Sequence, residues 1–336
     1  MQFIQQENII VPKNRASFLW GARVALCTAL VALGLLGVAT EAWSRDLQVR
    51  VLEAPPGQSI EVHAVSPAGQ LGGEIKDQQG THGLLCPLPC NPQTLRPIDP
   101  WFNGEKAVAT QVRSMAVPEQ IAGSFVDRKG DGHGFVCGGV SSTLRCRQID
   151  VMINETIMTD TLILGMQEPD DMVGSYRDRQ AKIHGFLLRD DSFQTVEVPQ
   201  AMATVVTAIG PSSAGNAPTL TGFFVDAGFA IHGFLCQLPI RPQCFRSFDV
   251  TLDGVPQTMT HPVGFTRTQI VGSFRDKAGD SHGFQCRLPV RQECFIQLDV
   301  SNGKNTEIFG TNEQGQLVGQ YDDSTGRPRA FVAHAP

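Results

Sequence analysis

His-Gly returns five times along this chain at a near-constant interval, and that periodicity constrains the fold more than any other feature. The dipeptide stands at His82-Gly83, His133-Gly134, His184-Gly185, His232-Gly233 and His282-Gly283, at intervals of 51, 51, 48 and 50 residues. A fixed period in this range marks supersecondary units that stack or close into a ring, because a single unit cannot bury its own apolar face. The 336 residues therefore read as one large repeat domain behind a short leader.

The flanking residues refine the count. Upstream glycines align at Gly73, Gly123, Gly174, Gly222, Gly272 and Gly319, each followed four residues later by an aspartate: Asp77, Asp127, Asp178, Asp226, Asp276 and Asp323. Six units are present, and in the sixth Arg329 of Arg329-Ala330-Phe331 stands where the others have histidine. Each unit reads as four short strands with period-two alternation, punctuated by Gly, Pro and Asp. Gly 34 and Pro 21 suit such a turn-rich chain. The predicted fold is an all-β six-bladed propeller of four-stranded blades over 45–336. Its units run over about 57–104, 105–154, 155–202, 203–253, 254–302 and 303–336 plus 46–56. The fourth-strand motif, as in Leu298-Asp299, is missing after unit six, while a matching segment, Val51-Leu52-Glu53-Ala54-Pro55-Pro56, precedes unit one. The N-terminal strand is thus expected to complete the last blade and remove an open sheet edge. A β-solenoid or a pair of sandwiches leaves that displaced strand unexplained.

The combined pattern, Asn-x-x-Gly-x-hydrophobic-Val-Gly-x-Tyr/Phe-x-Asp followed by His-Gly-Phe and Asp-Val, resembles the HAF family of putative extracellular repeats. Unit six carries it as Thr311-Asn312 through Gly319-Gln320-Tyr321, and unit three as His184-Gly185-Phe186. The resemblance covers nearly all of 46–334 and implies export and a propeller. It transfers no catalytic residue. The paired cysteines and Arg329 depart from the pattern.

The N-terminus reads as an export signal. Lys13, Arg15 and Arg23 precede an apolar run over 24–39, VALCTALVALGLLGVA, with small residues permitting cleavage after Ala39 or Ala42. The run is 16 residues, short of the ~20 of a full span. Residues 1–42 are read as a signal peptide, with an uncleaved anchor helix as the competitor. Either way the remainder lies outside the cytoplasm. Eight of the nine cysteines fall as Cys86/Cys90, Cys137/Cys146, Cys236/Cys244 and Cys286/Cys294, and units three and six lack both members. Residues that vanish together are most simply disulfide partners across a hairpin, which implies an oxidising compartment. Four isolated pairs without CxxC spacing argue against zinc.

The five histidines could ring a channel as ligands. Each, however, has an aspartate five or six residues earlier: Asp77–His82, Asp127–His133, Asp178–His184, Asp226–His232 and Asp276–His282, with Asp323–Arg329 in unit six. Such pairs flanking a turn are expected to act as a structural hairpin lock, since buried polar groups need partners. The Asp127–Asp131 and Asp276–Asp280 turns are expected to be Asx caps rather than calcium loops, which need six or more oxygens. No Gly-x-Ser-x-Gly elbow, His-Glu-x-x-His site or phosphate loop is present. Ser212-Ser213 has no identifiable base, and the adjacent pairs Asp170-Asp171 and Asp190-Asp191 point to opposite faces of a strand. No catalytic residue, metal or cofactor is assigned.

Specific function is sought where the units differ: Trp101, Phe102, His63, His261 and Arg267. The reading is an exported monomeric binding or structural module of the cell envelope or extracellular space, with a protein or carbohydrate ligand. A net charge of −6 without basic blocks excludes nucleic acid, and membrane contact is confined to 24–39 if that segment stays uncleaved. The rival is a carbohydrate-active hydrolase or lyase with its site at the channel mouth. A binding module should show an apolar or aromatic patch on a face. Three or more unrepeated titratable side chains converging at one end of the channel would overturn the binding reading.

Overall fold

Six antiparallel sheets form, one for each repeat. In the computed structural model, residues 44–116, 120–139, 144–168, 171–211 and 217–335 are described. The expected leader over 1–42, Cys27, Asp170 and Ser212-Ser213 lie outside them. Among the described residues no helix is long and apolar enough to cross a membrane.

Blade one is ordered from the channel outward as Ser59–Val65, Gln70–Asp77, Gly80–Pro87 and Arg96–Ile98. Blades two to five repeat that order from inner strands Ala109–Ala116, Thr159–Glu168, Ala203–Ile209 and Thr258–Phe265. Blade six has three strands from the C-terminal end, Lys304–Thr311, Gln316–Asp322 and Pro328–His334, and takes its fourth, Val49–Val51, from the N-terminal end. Val51 pairs with Phe331, and the Leu52 amide donates to the Ala330 carbonyl at 2.9 Å. The expected closure is therefore present, two residues earlier than the Val51–Pro56 segment suggested. A second N-terminal strand, Ser44–Leu47, lies parallel to Phe295–Val300 on the outside of blade five. Nothing in the repeat pattern announced it.

The repeated glycine has a local cause. In every blade the inner strand carries one extra residue against the second strand, at His63, Arg113, Leu164, Thr207, Val263 and Phe309. The bulge drives the inner backbone toward the glycine. A Cβ on Gly123 would stand 1.9 Å from the Gln111 carbonyl oxygen, and one on Gly174 would stand 1.8 Å from that of Leu162. The aromatic of His-Gly-Phe fills the core: Phe135, Phe186, Phe234, Phe284 and Phe331 are all fully buried.

Antiparallel order gives the propeller two unlike ends. The last residues of all six inner strands line one cavity, so these strands run the same way around the channel. Turns between strands one and two, and the loops between three and four, lie at that end. Turns between two and three, and the connections between blades, lie at the other.

Four disulfides form at the three–four loops. They join Cys86 to Cys90, Cys137 to Cys146, Cys236 to Cys244 and Cys286 to Cys294, with Cα separations of 5.5, 4.0, 4.6 and 4.8 Å. The expected geometry, a bridge across two paired strands, needs correction in three of them. Only Cys137 and Cys146 face one another in register on neighbouring strands. Cys244 and Cys294 instead end short 3-10 turns, Pro242–Cys244 and Gln292–Cys294, one residue before the fourth strand begins. The register explains the shift. Cys236 is opposed by Phe245 and Cys286 by Phe295, so each bridge is closed from the loop by the residue just ahead. Cys90 lies further back still, in the loop before Arg96–Ile98, and is buried there beside Cys86. Four bridges of this kind belong to an oxidising environment.

The close approach at the bulge can be tested against an open turn. Gly123→Ala is expected to lose at least about 3 kcal/mol in chemical denaturation, the size of a severe core disruption. Gly130→Ala, at φ +90° with nothing near its Cβ, should lose only about 1 kcal/mol. Equal losses would refute this account of the bulge.

Candidate functional site

The repeat histidines each lie between two carboxylates. The nearer partner is usually not the aspartate of the preceding turn but the one ending the fourth strand. His82 Nδ1 lies 2.7 Å from Asp99, His133 Nδ1 2.8 Å from Asp150, His232 Nδ1 2.9 Å from Asp249 and His282 Nδ1 2.8 Å from Asp299. The turn carboxylates stand on the Nε2 side, Asp77 at 3.4 Å, Asp127 at 3.7 Å, Asp226 at 3.4 Å and Asp276 at 3.6 Å. Sequence spacing paired each histidine with its turn aspartate alone. The strand-four Asp, noticed only as a strand marker, is the second jaw of the clamp. Blade three inverts the balance. Glu197 replaces that aspartate, is engaged by Lys182, and lies 3.5 Å from His184, while Asp178 closes to 2.9 Å.

Blade six keeps the charge pattern with different residues. Arg329 reaches Glu53 at 2.7 Å and Asp323 at 3.9 Å. Glu53 belongs to the N-terminal segment, so the cation of the last repeat is held by the strand that closes the ring. The hydrogen bonds to Asp150 and Asp299 hold His133 and His282 above the ordinary histidine range, against the opposing effect of burial. At His232 burial pulls downward, and Asp249 and Asp226 together overcome it. Those three histidines therefore favour the cation that Arg329 carries permanently. The turn aspartates also cap their own turns: Asp127 Oδ1 accepts from the amides of Lys129 and Asp131, and Asp276 Oδ1 from those of Gly279 and Asp280. Their oxygens are directed at backbone N–H groups, as Asx caps require.

Unrepeated chemistry gathers in the channel. The bulge residues His63, Arg113, Leu164, Thr207, Val263 and Phe309 all line a cavity of about 140 Å³ where the inner strands end. The ring is polar at blades one and two and apolar at blades three, five and six. Behind His63 and Arg113 lie Glu61, Glu74, Lys76 and Gln111. Lys76 Nζ bridges Glu74 at 2.6 Å and Glu61 at 3.0 Å. Gln111 donates to Glu74 and accepts from Arg113 at 2.9 Å. Arg113 also donates to His63 Nδ1 at 3.3 Å, which places the His63 proton on Nε2. Burial, then Arg113 and Lys76, drives the His63 pKa well below the ordinary value, so the ring is neutral.

Five unrepeated titratable groups thus converge, where a pure binding propeller was expected to have fewer than three. Their arrangement is that of a neutralised seam between blades one and two. Glu74 is 1% exposed, and the Lys76 ammonium lies between both carboxylates, whereas acid–base work needs a reachable group facing the reacting atoms. Glu61, His63 and Glu74 do bring ligand atoms within 4.8 Å of one another. Lys76 already supplies their cation, and a divalent ion would have to share the pocket with it and with Arg113.

The remaining candidates separate. Trp101 and Phe102 begin the hairpin from blade one to blade two but point apart: Trp101 is 66% exposed, while Phe102 is buried and stacks on Phe125 at 3.9 Å. His261 packs edge-on against Phe223 at 4.5 Å in the inner layer, and burial lowers its pKa to about 4. It has no contact with Arg267, which is exposed at the opposite end of its strand pair and borders a groove between blades four and five. Asp171 is held by Arg189, and Asp190 and Asp191 form an exposed turn. The sulfurs of Cys86, Cys90, Cys137, Cys146, Cys236, Cys244, Cys286 and Cys294 are all consumed in bridges, so none offers the thiolate that nucleophilic or metal chemistry requires.

One further pattern follows blade topology rather than spacing. Among the described residues seven large apolar side chains are exposed: Trp101, Val108, Met152, Ile157, Met202, Phe229 and Val255. Six sit in connections between blades and Phe229 in a two–three turn, so all seven belong to the same end. They span blades one to five, and the polar Ser301-Asn302-Gly303 connection interrupts them before blade six.

No family model and no curated protein matches the chain. Among solved structures it is similar to AofleA from Arthrobotrys oligospora, at 6% identity over 82% of each chain with a TM-score of 0.49. It is similar also to Trypanosoma rangeli sialidase, at 6% identity over 86% of this chain and 55% of that one with a TM-score of 0.45. A fucose-specific lectin from Aleuria aurantia shares 10% identity over 73% of this chain and 78% of its own, with a TM-score of 0.42. Likenesses this distant carry no weight for ligand, activity or site.

The clamp makes a signed pH prediction. A histidine whose folded pKa is raised contributes stability that is complete below its unfolded value and fades as pH rises through the folded one. His282→Leu should therefore cost about 2 kcal/mol near pH 5.5, the range of a hydrogen bond to a charged group, and progressively less toward pH 8.5. Arg329→Leu should show a loss that does not change over that interval, because its cation does not titrate. Urea unfolding at several pH values measures both, and a loss at His282 that grows with pH would refute the cationic clamp.

Proposed function

We propose that this propeller is a binding module of the cell envelope or extracellular space that docks a protein partner on its blade-connection end. The observation that carries the reading is that, among the described residues, all seven exposed large apolar side chains lie at that end. Single exposed apolar residues are ordinary, but their concentration on one face marks an interaction surface. Five of the seven are aliphatic or thioether side chains, which pack against a protein surface; a sugar platform would need flat aromatic rings. Methionine and aromatic side chains are typical of protein interfaces. The four disulfides and the apolar run over 24–39 support an extracytoplasmic location. The enzyme reading rests on the channel cluster alone, and there the carboxylates are paired and the histidine is neutral.

Photo-crosslinkers placed at Ile157 and Phe229 should capture one dominant protein in native envelopes. Placed at Arg145 and Gln314, exposed at the opposite end, they should not. The captured protein, once purified, should bind the full chain directly and lose at least about tenfold in affinity on Trp101→Ser with Phe229→Ser, while the melting temperature stays within a degree or two, as for exposed substitutions. Crosslinks to lipid, to a second copy of the chain, or equally from control positions would overturn the proposal.

A further inference from the structure

A larger cavity than that of the channel lies between two blades. A groove of about 1110 Å³ runs along the seam of blades four and five, from the hairpin that connects them to the disulfide loop of blade five. Its size suits an extended small ligand, since clefts that bury such ligands measure roughly 300–1,000 Å³. Three arginines border it from separate loops: Arg246 at the start of the outer strand of blade four, Arg267 in the one–two turn of blade five, and Arg291 in its disulfide loop. Among the described residues none of the three guanidiniums has a carboxylate within 4.0 Å, and Glu313 beside the groove accepts from the backbone amide of Arg267 at 3.2 Å. The one acid on the wall, Asp249, is already engaged by His232. The groove is therefore a site of unbalanced positive charge on a chain whose net charge is −6.

We propose that this groove binds an acidic oligosaccharide, its carboxylates taken by Arg246, Arg267 and Arg291. Guanidinium forks match carboxylates in a bidentate geometry. Gln237, Gln243 and Gln292 stand among them, and each amide offers a donor and an acceptor together, the pair that neighbouring sugar hydroxyls require. None of the three arginines lies in a blade connection, so their variants test this site apart from the protein-docking proposal.

Calorimetric titration of the purified full chain with a galacturonate hexamer tests it. A neutral glucose hexamer and a hexaglutamate peptide serve as the competing probes. The uronate should bind, the neutral sugar should bind at least about tenfold more weakly, and raising salt from 50 to 300 mM should weaken the uronate complex. Arg267→Ser and Arg291→Ser should each cost about tenfold, with Lys277→Ser unchanged. All three side chains are exposed, so the variants should fold, and circular dichroism checks that they do. Equal affinity for the neutral sugar, binding of hexaglutamate alone, no binding of any probe, or indifference to both arginine variants would overturn the proposal.

Discussion

The collision between a carbonyl and a missing Cβ organises this molecule. Each inner strand carries a one-residue bulge beside the repeat glycine, and that bulge is possible only because the facing residue of the second strand is glycine, where a side chain would meet the inner carbonyl at about 2 Å. A bulge re-aims one side chain out of the alternation of its strand. Repeated six times around a ring, it delivers one side chain per blade to the channel. The backbone device is constant while the delivered residues, from His63 to Phe309, are all different. Repetition supplies the scaffold, and the same local geometry frees one position per blade to vary.

A second constraint is electrostatic. Each blade gathers carboxylates from a turn and from a fourth strand around one cation site, and these groups could not sit so close without a positive partner. Histidine fills that site in five blades, with His133, His232 and His282 held toward the cation, and the sixth uses arginine. The substitution falls in the blade that closes the ring, where the second carboxylate, Glu53, arrives from the other end of the chain. A permanent cation there needs no proton uptake to hold the closing contact, whereas His133, His232 and His282 in covalently continuous blades carry a cation that titrates.

Much of this was legible in the sequence. Blade number, the displaced strand and the four cysteine pairs all follow from period and register, because a repeat forces equivalent residues into equivalent places. The pairing of the cysteines was readable but not their placement: Cys90, Cys244 and Cys294 close their bridges from the loop, and only Cys146 does so from the strand. Which residue opens the fourth strand is set by its register against the third, and that leaves no mark in the spacing. The second carboxylate of each clamp was visible as the Asp of Asp-Val but was not connected to histidine, since that pairing also crosses between strands three and four. Glu61 and Glu74 escaped notice for a related reason. They occupy positions that hold Gln111 and Ser124 in blade two, and only the register of the inner strands brings them beside His63. Trp101 and Phe102 show the limit of reading neighbours as a unit: consecutive strand residues face opposite ways, so one reaches solvent while the other enters the core.

The unlike ends of the ring follow from the same topology. In a meander of four strands, two kinds of connection must emerge on one side and two on the other. Connections between blades and two–three turns share a side, so the apolar tips they carry gather there among the described residues. Disulfide loops and one–two turns share the opposite side, where Arg267 and Arg291 meet although they lie in different loops. The channel lies between, with its charged groups paired to one another rather than offered to solvent. Six related blades thus yield an apolar end and a cationic groove without any blade departing from the common pattern of strands. The side chains that differ are sorted to one surface or the other by which connection carries them.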